Sequence, residues 1–378
     1  MGRVRFSDVV KRVNVFVDRE HTDLLYYVGG EHIDSDAFMV RKNGLIKGAT
    51  IGYKFHFGFQ PGHILFMSRN PHLRKCSMVD FAGVCSDSTY VVETRDENVL
   101  LQKYLLIEMQ SDRFWKWAEE NKSGSVNYLI NYCTLDSYEF DLPPIEEQRA
   151  LAEKLWAAND LKEKYRHLLA ATDEMLKAKF REMFSGVNSY EQVELSSVCD
   201  TFIDGDWIES KDQSPGGIRI VQTGNVGCGC YIDKADKARY VNDETFIRIG
   251  CTEIFPGDIL ISRLPDPVGR ACVLPVGIGR AITAVDCTIV RTGRKILPDF
   301  LVAATMTADY QRQIDEFTMG TTRARVSRGN LSKIKIPLPP LALQREFVAI
   351  ANAAEASKAE LKKSITSIDA VMKGLING

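Results

Sequence analysis

The chain has 378 residues, 45% of them hydrophobic and 26% charged, with a formal charge of −2. That length allows two or three compact units, and the composition is that of an ordinary globular protein. Near-neutral charge excludes a protein that coats nucleic acid through a strong overall positive field, and no apolar run reaches the ~18–20 residues that span a bilayer, so a cytoplasmic protein with no membrane partner is expected.

Along the chain, the opening "MGRVRFSDVVKRVNVF" carries a charge every few residues and does not read as a signal peptide. Short β-branched and aromatic runs follow, broken by Gly, Pro, Asn or Asp, which predicts short strands with some helix. "PGHILFMSR" at 61–69 predicts a buried strand set off by Pro-Gly, and "DSTYVV" at 87–92 another strand. The run 99–120 has helical periodicity, and "FDLPPIEEQR" at 140–149 reads as a strand end followed by a helix start. Proline suits that edge because it supplies the helical φ and lacks an N–H that would be unpaired there anyway.

The same elements then return in the same order. "VQTGNV" at 221–226 loosely answers "YVGGEHI" at 27–33, "PGDILISR" at 256–263 answers "PGHILFMSR", and "DCTIV" at 286–290 answers "DSTYVV". A second helical run at 299–317 leads to "IPLPPLALQR" at 336–345. Holding the offset between Pro143 and Pro339 constant also aligns Leu142 with Leu338, Gly124 with Gly320, and Gln148-Arg149 with Gln344-Arg345. The chain is a tandem duplication.

A long helix closes each copy. Leu151, Ala158, Leu161, Tyr165, Leu168 and Met175 lie on a heptad frame in the first, and Phe347, Ile350, Ala354, Leu361, Ile368 and Val371 in the second. Each copy supplies only one such seam, so the two helices are expected to pack on each other as an antiparallel coiled coil. The competing arrangement folds each helix back on its own domain. The predicted class is α+β: two tandem mixed domains joined by two long helices with a pseudo-two-fold internal repeat.

Motifs of catalysis and metal binding are lacking. The nine cysteines have no framework spacing, Cys228-Gly-Cys230 has no histidine near it in sequence, and His56, His63 and His72 follow no ligand template, so no metal site is expected. There is no GxxxxGK[ST] phosphate loop, and "TGNVGCG" at 223–229 reads as a turn.

Taken together, "IPLPPLALQREFVAI", "GTTRARVSRGNLSKI" and "FPGDILISR", with "FDLPPIEEQRALAEKL" and "QPGHILFMSR" in the first copy, closely resemble the DNA specificity subunit of type I restriction-modification systems. The resemblance covers essentially the whole chain. It implies target recognition domains at 1–142 and 187–338 and conserved spacer helices at 143–186 and 339–378. It also implies that each domain reads one half of a bipartite, asymmetric target in double-stranded DNA, with no catalysis in this chain. The implied partners are two methyltransferase subunits that modify adenine N6 with S-adenosylmethionine, and restriction subunits that use ATP and magnesium. The implied cofactors therefore belong to the partners.

Basic residues then become candidates for DNA contact. Between Phe317 and Lys335 there is no acidic residue, and Arg323, Arg325, Arg328, Lys333 and Lys335 are basic. Spaced arginines suit phosphates and guanine edges, although a solvated basic loop would read alike. The equivalent run at 121–139 offers Lys122 with Asn and Tyr instead. The first copy's candidates are Arg41, Lys42, Lys47, Arg69, Arg74 and Lys75, with Lys54 nearby; the second copy adds Arg263 and Arg270. Arg69 and Arg263 end the same Pro-Gly strand, so they share a backbone contact or pair a nearby carboxylate. Three readings compete: the specificity subunit of a type IIB system, a protein-binding coiled-coil scaffold, and a thiol hydrolase using Cys76 or Cys85.

Overall fold

Both Pro-Gly pairs turn the chain through a glycine in the left-handed region, Gly62 at φ 90° and Gly257 at φ 93°, where a side chain would be strained. Each turn launches a buried strand, Ile64–Met67 or Ile259–Ser262, into the middle of a four-stranded antiparallel sheet. The computed structural model describes every residue except 1, 19, 50, 187–189, 266 and 321–323. It divides into one unit of residues 1–167 and 361–378 and a second of 168–360.

Unit one has the sheet order Val10–Arg12, Thr89–Thr94, Ile64–Met67, Cys76–Met78, and unit two the order Cys199–Asp204, Cys287–Thr292, Ile259–Ser262, Ala271–Val273. A second, mixed sheet also repeats. In unit one Tyr26–Val28 runs parallel to Gly83–Ser86, which pairs antiparallel with Phe55–Phe59. In unit two Ile218–Val221 runs parallel to Ala281–Thr283, which pairs antiparallel with Glu253–Ile254. Unit one adds the edge strand Val15–Phe16. Two-stranded clasps, Gly2–Arg5 with Glu139–Leu142 and Gln192–Glu194 with Lys335–Pro337, bring the start of each copy to the strand before its long helix.

The helical run 99–120 is two helices, Gln102–Gln110 and Asp112–Glu120, divided at Ser111, whose Oγ accepts the Phe114 N–H at 3.2 Å. Thr307 divides Pro298–Thr305 from Ala308–Phe317 in the same way, accepting from Tyr310 N–H at 3.3 Å. Such caps satisfy one of the amides a helix start leaves unpaired.

The long helices are Ile145–Phe184 (40 residues) and Leu341–Asn377 (37 residues). Each is fastened to its domain by a fully buried glutamine. Gln148 Nε2 donates to the carbonyls of Val99 and Pro143, each at 2.9 Å, and its Oε1 accepts the Leu101 N–H at 3.0 Å. Gln344 repeats this with Lys295 at 2.9 Å, Pro339 at 2.8 Å and the Leu297 N–H at 2.9 Å. One side chain thus closes the helix start and the loop before the domain's own helix pair.

In unit one, Ala152, Leu155 and Trp156 of the first long helix and Met372 of the second join the core with Phe6, Tyr104 and Phe114. In unit two, Phe180 and Phe184 pack around Phe300 and Phe347, with ring centroids 5.0–5.5 Å apart for Phe180–Phe184, Phe180–Phe300 and Phe180–Phe347. Lys162 Nζ meets Asp369 at 2.8 Å in unit one, and Lys358 Nζ meets Asp173 at 2.6 Å in unit two.

The heptad spacing is present, but its register differs from the sequence expectation. In the first helix the inward residues are Ala152, Leu155, Asn159 and Lys162, whereas Leu161 is 41% and Leu168 51% exposed; Leu151, Ala158 and Tyr165 are partly buried, and Met175 is exposed. In the second helix Phe347 and Ala354 are buried and Leu361 and Ile368 partly so, as expected, but Ile350 is only partly covered and Met372 takes the place expected of the exposed Val371. The reason is chemical: Asn159 and Lys162 are polar, so an apolar count assigns the seam to their neighbours.

Replacing either buried glutamine with the similarly shaped Met leaves one amide and two carbonyls unpaired. Gln148→Met and Gln344→Met are each expected to lower stability by roughly 2–4 kcal/mol in urea unfolding; a loss below about 1 kcal/mol would remove the clip from the account.

Candidate nucleic-acid interface

Just after the second helix of each helix pair, the chain is closed on itself by one pair of reciprocal backbone bonds. In unit one, Ser123 N–H donates to the Leu129 carbonyl at 2.8 Å and Leu129 N–H returns to Ser123 at 3.0 Å. In unit two, Met319 and Arg325 exchange the same two bonds, both at 3.0 Å. Gly124 and Gly320 open the loops at φ 99° and 98°. A Cβ on Gly124 would lie 2.6 Å from the Asn127 carbonyl, so both backbone angle and space demand glycine there. Between these closures the sequences diverge: residues 124–128 are Gly-Ser-Val-Asn-Tyr, and 320–324 are Gly-Thr-Thr-Arg-Ala.

In unit two the loop is footed by Val326, fully buried, whose N–H donates to the Arg263 carbonyl at 3.2 Å. Arg325 reaches Asp286 at 3.5 Å and Arg328 reaches Asp204 at 4.0 Å, with both side chains about half exposed. Lys333 is exposed, and Arg323 lies outside the described residues. Arg325 and Arg328 are thereby placed at one end of the four-stranded sheet, at the end of Cys199–Asp204 and the turn before Cys287.

Two candidates serve the interior instead. Arg263 is 3% exposed; it pairs with Asp204 at 3.3 Å and donates to the Val285 carbonyl at 2.6 Å. Arg270 donates to the carbonyls of Thr223, Val226, Pro265 and Pro267. Both guanidinium groups tie loops to the sheet, because their planar donor forks match convergent carbonyls.

Unit one shows the same division. Arg74 is held by Asp36 at 2.7 Å, Asp112 at 2.6 Å and the Gln110 carbonyl, and Lys75 donates to the Gly30 carbonyl. Arg41 pairs with Asp80 at 3.2 Å, and Lys42 with Asp34 at 2.7 Å. Lys47 and Arg69 are exposed, and among the described residues neither makes an ion pair. Arg69 pairs by its backbone with Leu129, at the foot of the 123–129 loop. Arg69 and Arg263 therefore do not share one role: the first is exposed at the loop and the second buried beneath it. The sequence also passed over Arg12, whose guanidinium lies 4.6 Å from the Tyr90 ring centre and 5.3 Å from that of Tyr132. No motif marks it, since its partners come from distant strands and loops.

Thiol chemistry has no support in these surroundings. Cys76 and Cys85 are fully buried, and burial pushes the Cys85 thiol up to about 12 and the Cys76 thiol higher still, away from the nucleophilic thiolate. Among the described residues no three His, Cys, Asp or Glu side chains gather to hold a metal ion, and no helix is long and apolar enough to cross a membrane.

Residues 188–368 match the family described as the type I restriction modification DNA specificity domain. A curated relative, the type I restriction enzyme EcoDI specificity subunit of Escherichia coli, is 25% identical over 132 residues, which are 34% of this chain and 29% of that subunit's length. Among solved structures, a chain from work on complex assembly and conformational transition of the type I R-M system aligns with TM-score 0.57 at 20% identity, covering 99% of this chain and 96% of that one. The type I restriction-modification S subunit from M. genitalium aligns with TM-score 0.54 at 15% identity, over 99% and 94% of the two chains. At these identities the solved structures establish a shared mixed α/β fold.

The burial difference separates two arginines experimentally. Arg263→Ala empties a buried site and leaves the Val285 carbonyl without its donor, and is expected to lose roughly 2–4 kcal/mol in urea unfolding, whereas Arg325→Ala changes stability by about 1 kcal/mol or less; equal losses would contradict this division. Thiol labelling of the native protein is expected to modify Cys133, Cys228 and Cys230, which are exposed. Cys76, Cys85, Cys272 and Cys287 should react only after unfolding, and rapid native labelling of any of these four would show that the cores open.

Proposed function

We propose, from the match of residues 188–368 to the type I restriction modification DNA specificity domain family, that this chain is the DNA-reading subunit of a type I restriction-modification complex. The observation that carries the reading is the pair of loops closed by the same backbone bonds, Ser123 with Leu129 and Met319 with Arg325, around unlike residues. Identical frames with different side chains are what two unlike half-sites of one asymmetric target require. Arg325 and Arg328 supply bidentate donors for guanine edges or phosphates in unit two, while Asn127 and Tyr128 offer amide and phenol groups in unit one. Local clustering of cations reconciles a net charge of −2 with a polyanionic ligand.

In this reading the chain performs no chemistry itself. It holds two methyltransferase subunits, which carry S-adenosylmethionine to adenine N6, and restriction subunits, which use ATP and magnesium. The two long helices pack antiparallel and set the spacing between half-sites; the ion pairs Lys162–Asp369 and Asp173–Lys358 support that arrangement, one from each unit. A type IIB assembly is not favoured, since the family and the curated relative are both of type I.

The decisive experiment expresses this chain with its methyltransferase and maps N6-methyladenine across a host genome. A single bipartite sequence is expected. Arg325→Ala with Arg328→Ala should weaken recognition of one half by about 1–3 kcal/mol per lost base contact and leave the other half unchanged. Replacing residues 125–128 should alter only the other half. Inserting one helical turn within 160–175 together with its counterpart in the second helix should lengthen the spacer alone. Methylation without sequence preference, or loss of both halves from one loop, would overturn the reading.

A further inference from the structure

Among the large aromatic rings left exposed, which include Tyr53 and Phe255, two lie just beyond the matching edge strands of the two four-stranded sheets. Trp207 is 69% exposed and follows Cys199–Asp204; Phe16 is 74% exposed and follows Val10–Arg12, the matching edge strand of unit one's four-stranded sheet. By contrast, Trp115, Trp117 and Trp156 belong to the core of unit one. A ring left in water at equivalent places in two diverged copies calls for a ligand with an apolar face.

The backbone just ahead of Trp207 is pinned to a turn of the sheet. Gly205 N–H donates to the Cys287 carbonyl and Asp206 N–H to the Thr283 carbonyl, each at 2.9 Å. A Cβ on Gly205 would stand 2.4 Å from the Thr283 oxygen and 2.5 Å from that of Ala284, so only glycine lets this segment lie so close to the turn. The same turn carries Asp286, the partner of Arg325. Trp207 thus directly follows a pinned stretch of backbone beside the turn whose Asp286 pairs with Arg325.

The ring's neighbours match that ligand. Trp207, Lys211, Gln213 and Arg239 line one open depression, with Lys211 paired to Glu209 at 2.8 Å and Arg239 exposed. An indole beside a guanidinium and an amide suits a sugar face or thymine methyl with its phosphate alongside. In unit one, Phe16 is already stacked on the His56 ring, centroids 4.5 Å apart and planes 21° apart, which presents a flat pair for a further contact.

We propose that Trp207, with Arg239 at its side, packs against a sugar face or thymine methyl of the bound duplex in unit two, and that Phe16 stacked on His56 does the same in unit one. These contacts position DNA on the loops and add to their discrimination. The inference rests on the DNA-reading function proposed above.

The test uses the full chain assembled with its methyltransferase, a duplex carrying the methylation-mapped target, and a shuffled duplex of equal composition. Iodide quenching of tryptophan fluorescence, taken as the difference from Trp207→Phe, reports Trp207, since Trp115 and Trp156 are buried and Trp117 partly so. Target duplex is expected to remove most of that quenching. Trp207→Ala and Phe16→Ala should each weaken target binding about tenfold, with Trp207→Phe restoring it to within about threefold. Arg239→Gln should lower the salt dependence by about one ion. Unchanged quenching on a saturated duplex, with full affinity in Trp207→Ala, overturns the inference and leaves the loop reading intact. Protection by the methyltransferase alone, without DNA, also overturns it, because the ring would then be a protein-docking contact. Failure to bind any duplex in a salt-sensitive way would overturn both readings together.

Discussion

Two buried glutamines set the constraint on which the rest of the molecule depends. Where each long helix meets its domain, backbone carbonyls and an amide of the adjoining segments are buried, and something must pair them where no water reaches. Gln148 and Gln344 do so with one amide group each, bonding the proline carbonyl at the helix start and the backbone just ahead of the domain's own helix pair. The proline pairs complete the joint by supplying no N–H of their own. Because the bonds are directional and fully buried, the angle at which each long helix leaves its domain is fixed by geometry that a hydrophobic contact alone would not impose.

That rigidity explains how the two units differ where difference is useful. The four-stranded sheets, the parallel pair in each mixed sheet, the clasps and the loop closures repeat, while the loop tips do not. Conserving backbone bonds and left-handed glycines at the base of a loop leaves its tip free to change chemically at little cost to the core. Arg263 and Arg270 illustrate the other side of that division, since Arg263 is consumed beneath the loop and Arg270 in tying the 223–226 and 265–267 segments together.

Much of the fold was legible in the residue order. The Pro-Gly strand starts, the Pro-Pro helix starts and the repeat between them all appear as predicted, because turns and helix ends depend on φ preferences and missing donors that belong to individual residues. The heptad spacing was also legible, but its register in the first helix was not: Asn159 and Lys162 face inward there, Lys162 held by Asp369 far away in sequence. Candidate DNA contacts were the least legible. An arginine spent on buried carbonyls, an arginine paired to one aspartate and an exposed lysine look alike in a string of letters, and neither Arg12 nor Trp207 carries any motif.

By itself, the sequence determined that the protein is a duplicated α+β chain with a proline-and-glutamine joint before each long helix, since these follow from local backbone chemistry repeated at a constant offset. Only the tertiary structure decided which charges remain available to a ligand, which face of the first helix is buried, and that two loops of unlike sequence are closed by the same backbone bonds. Those outcomes depend on partners brought from distant parts of the chain, and burial and pairing of that kind arise only once the sheets have formed.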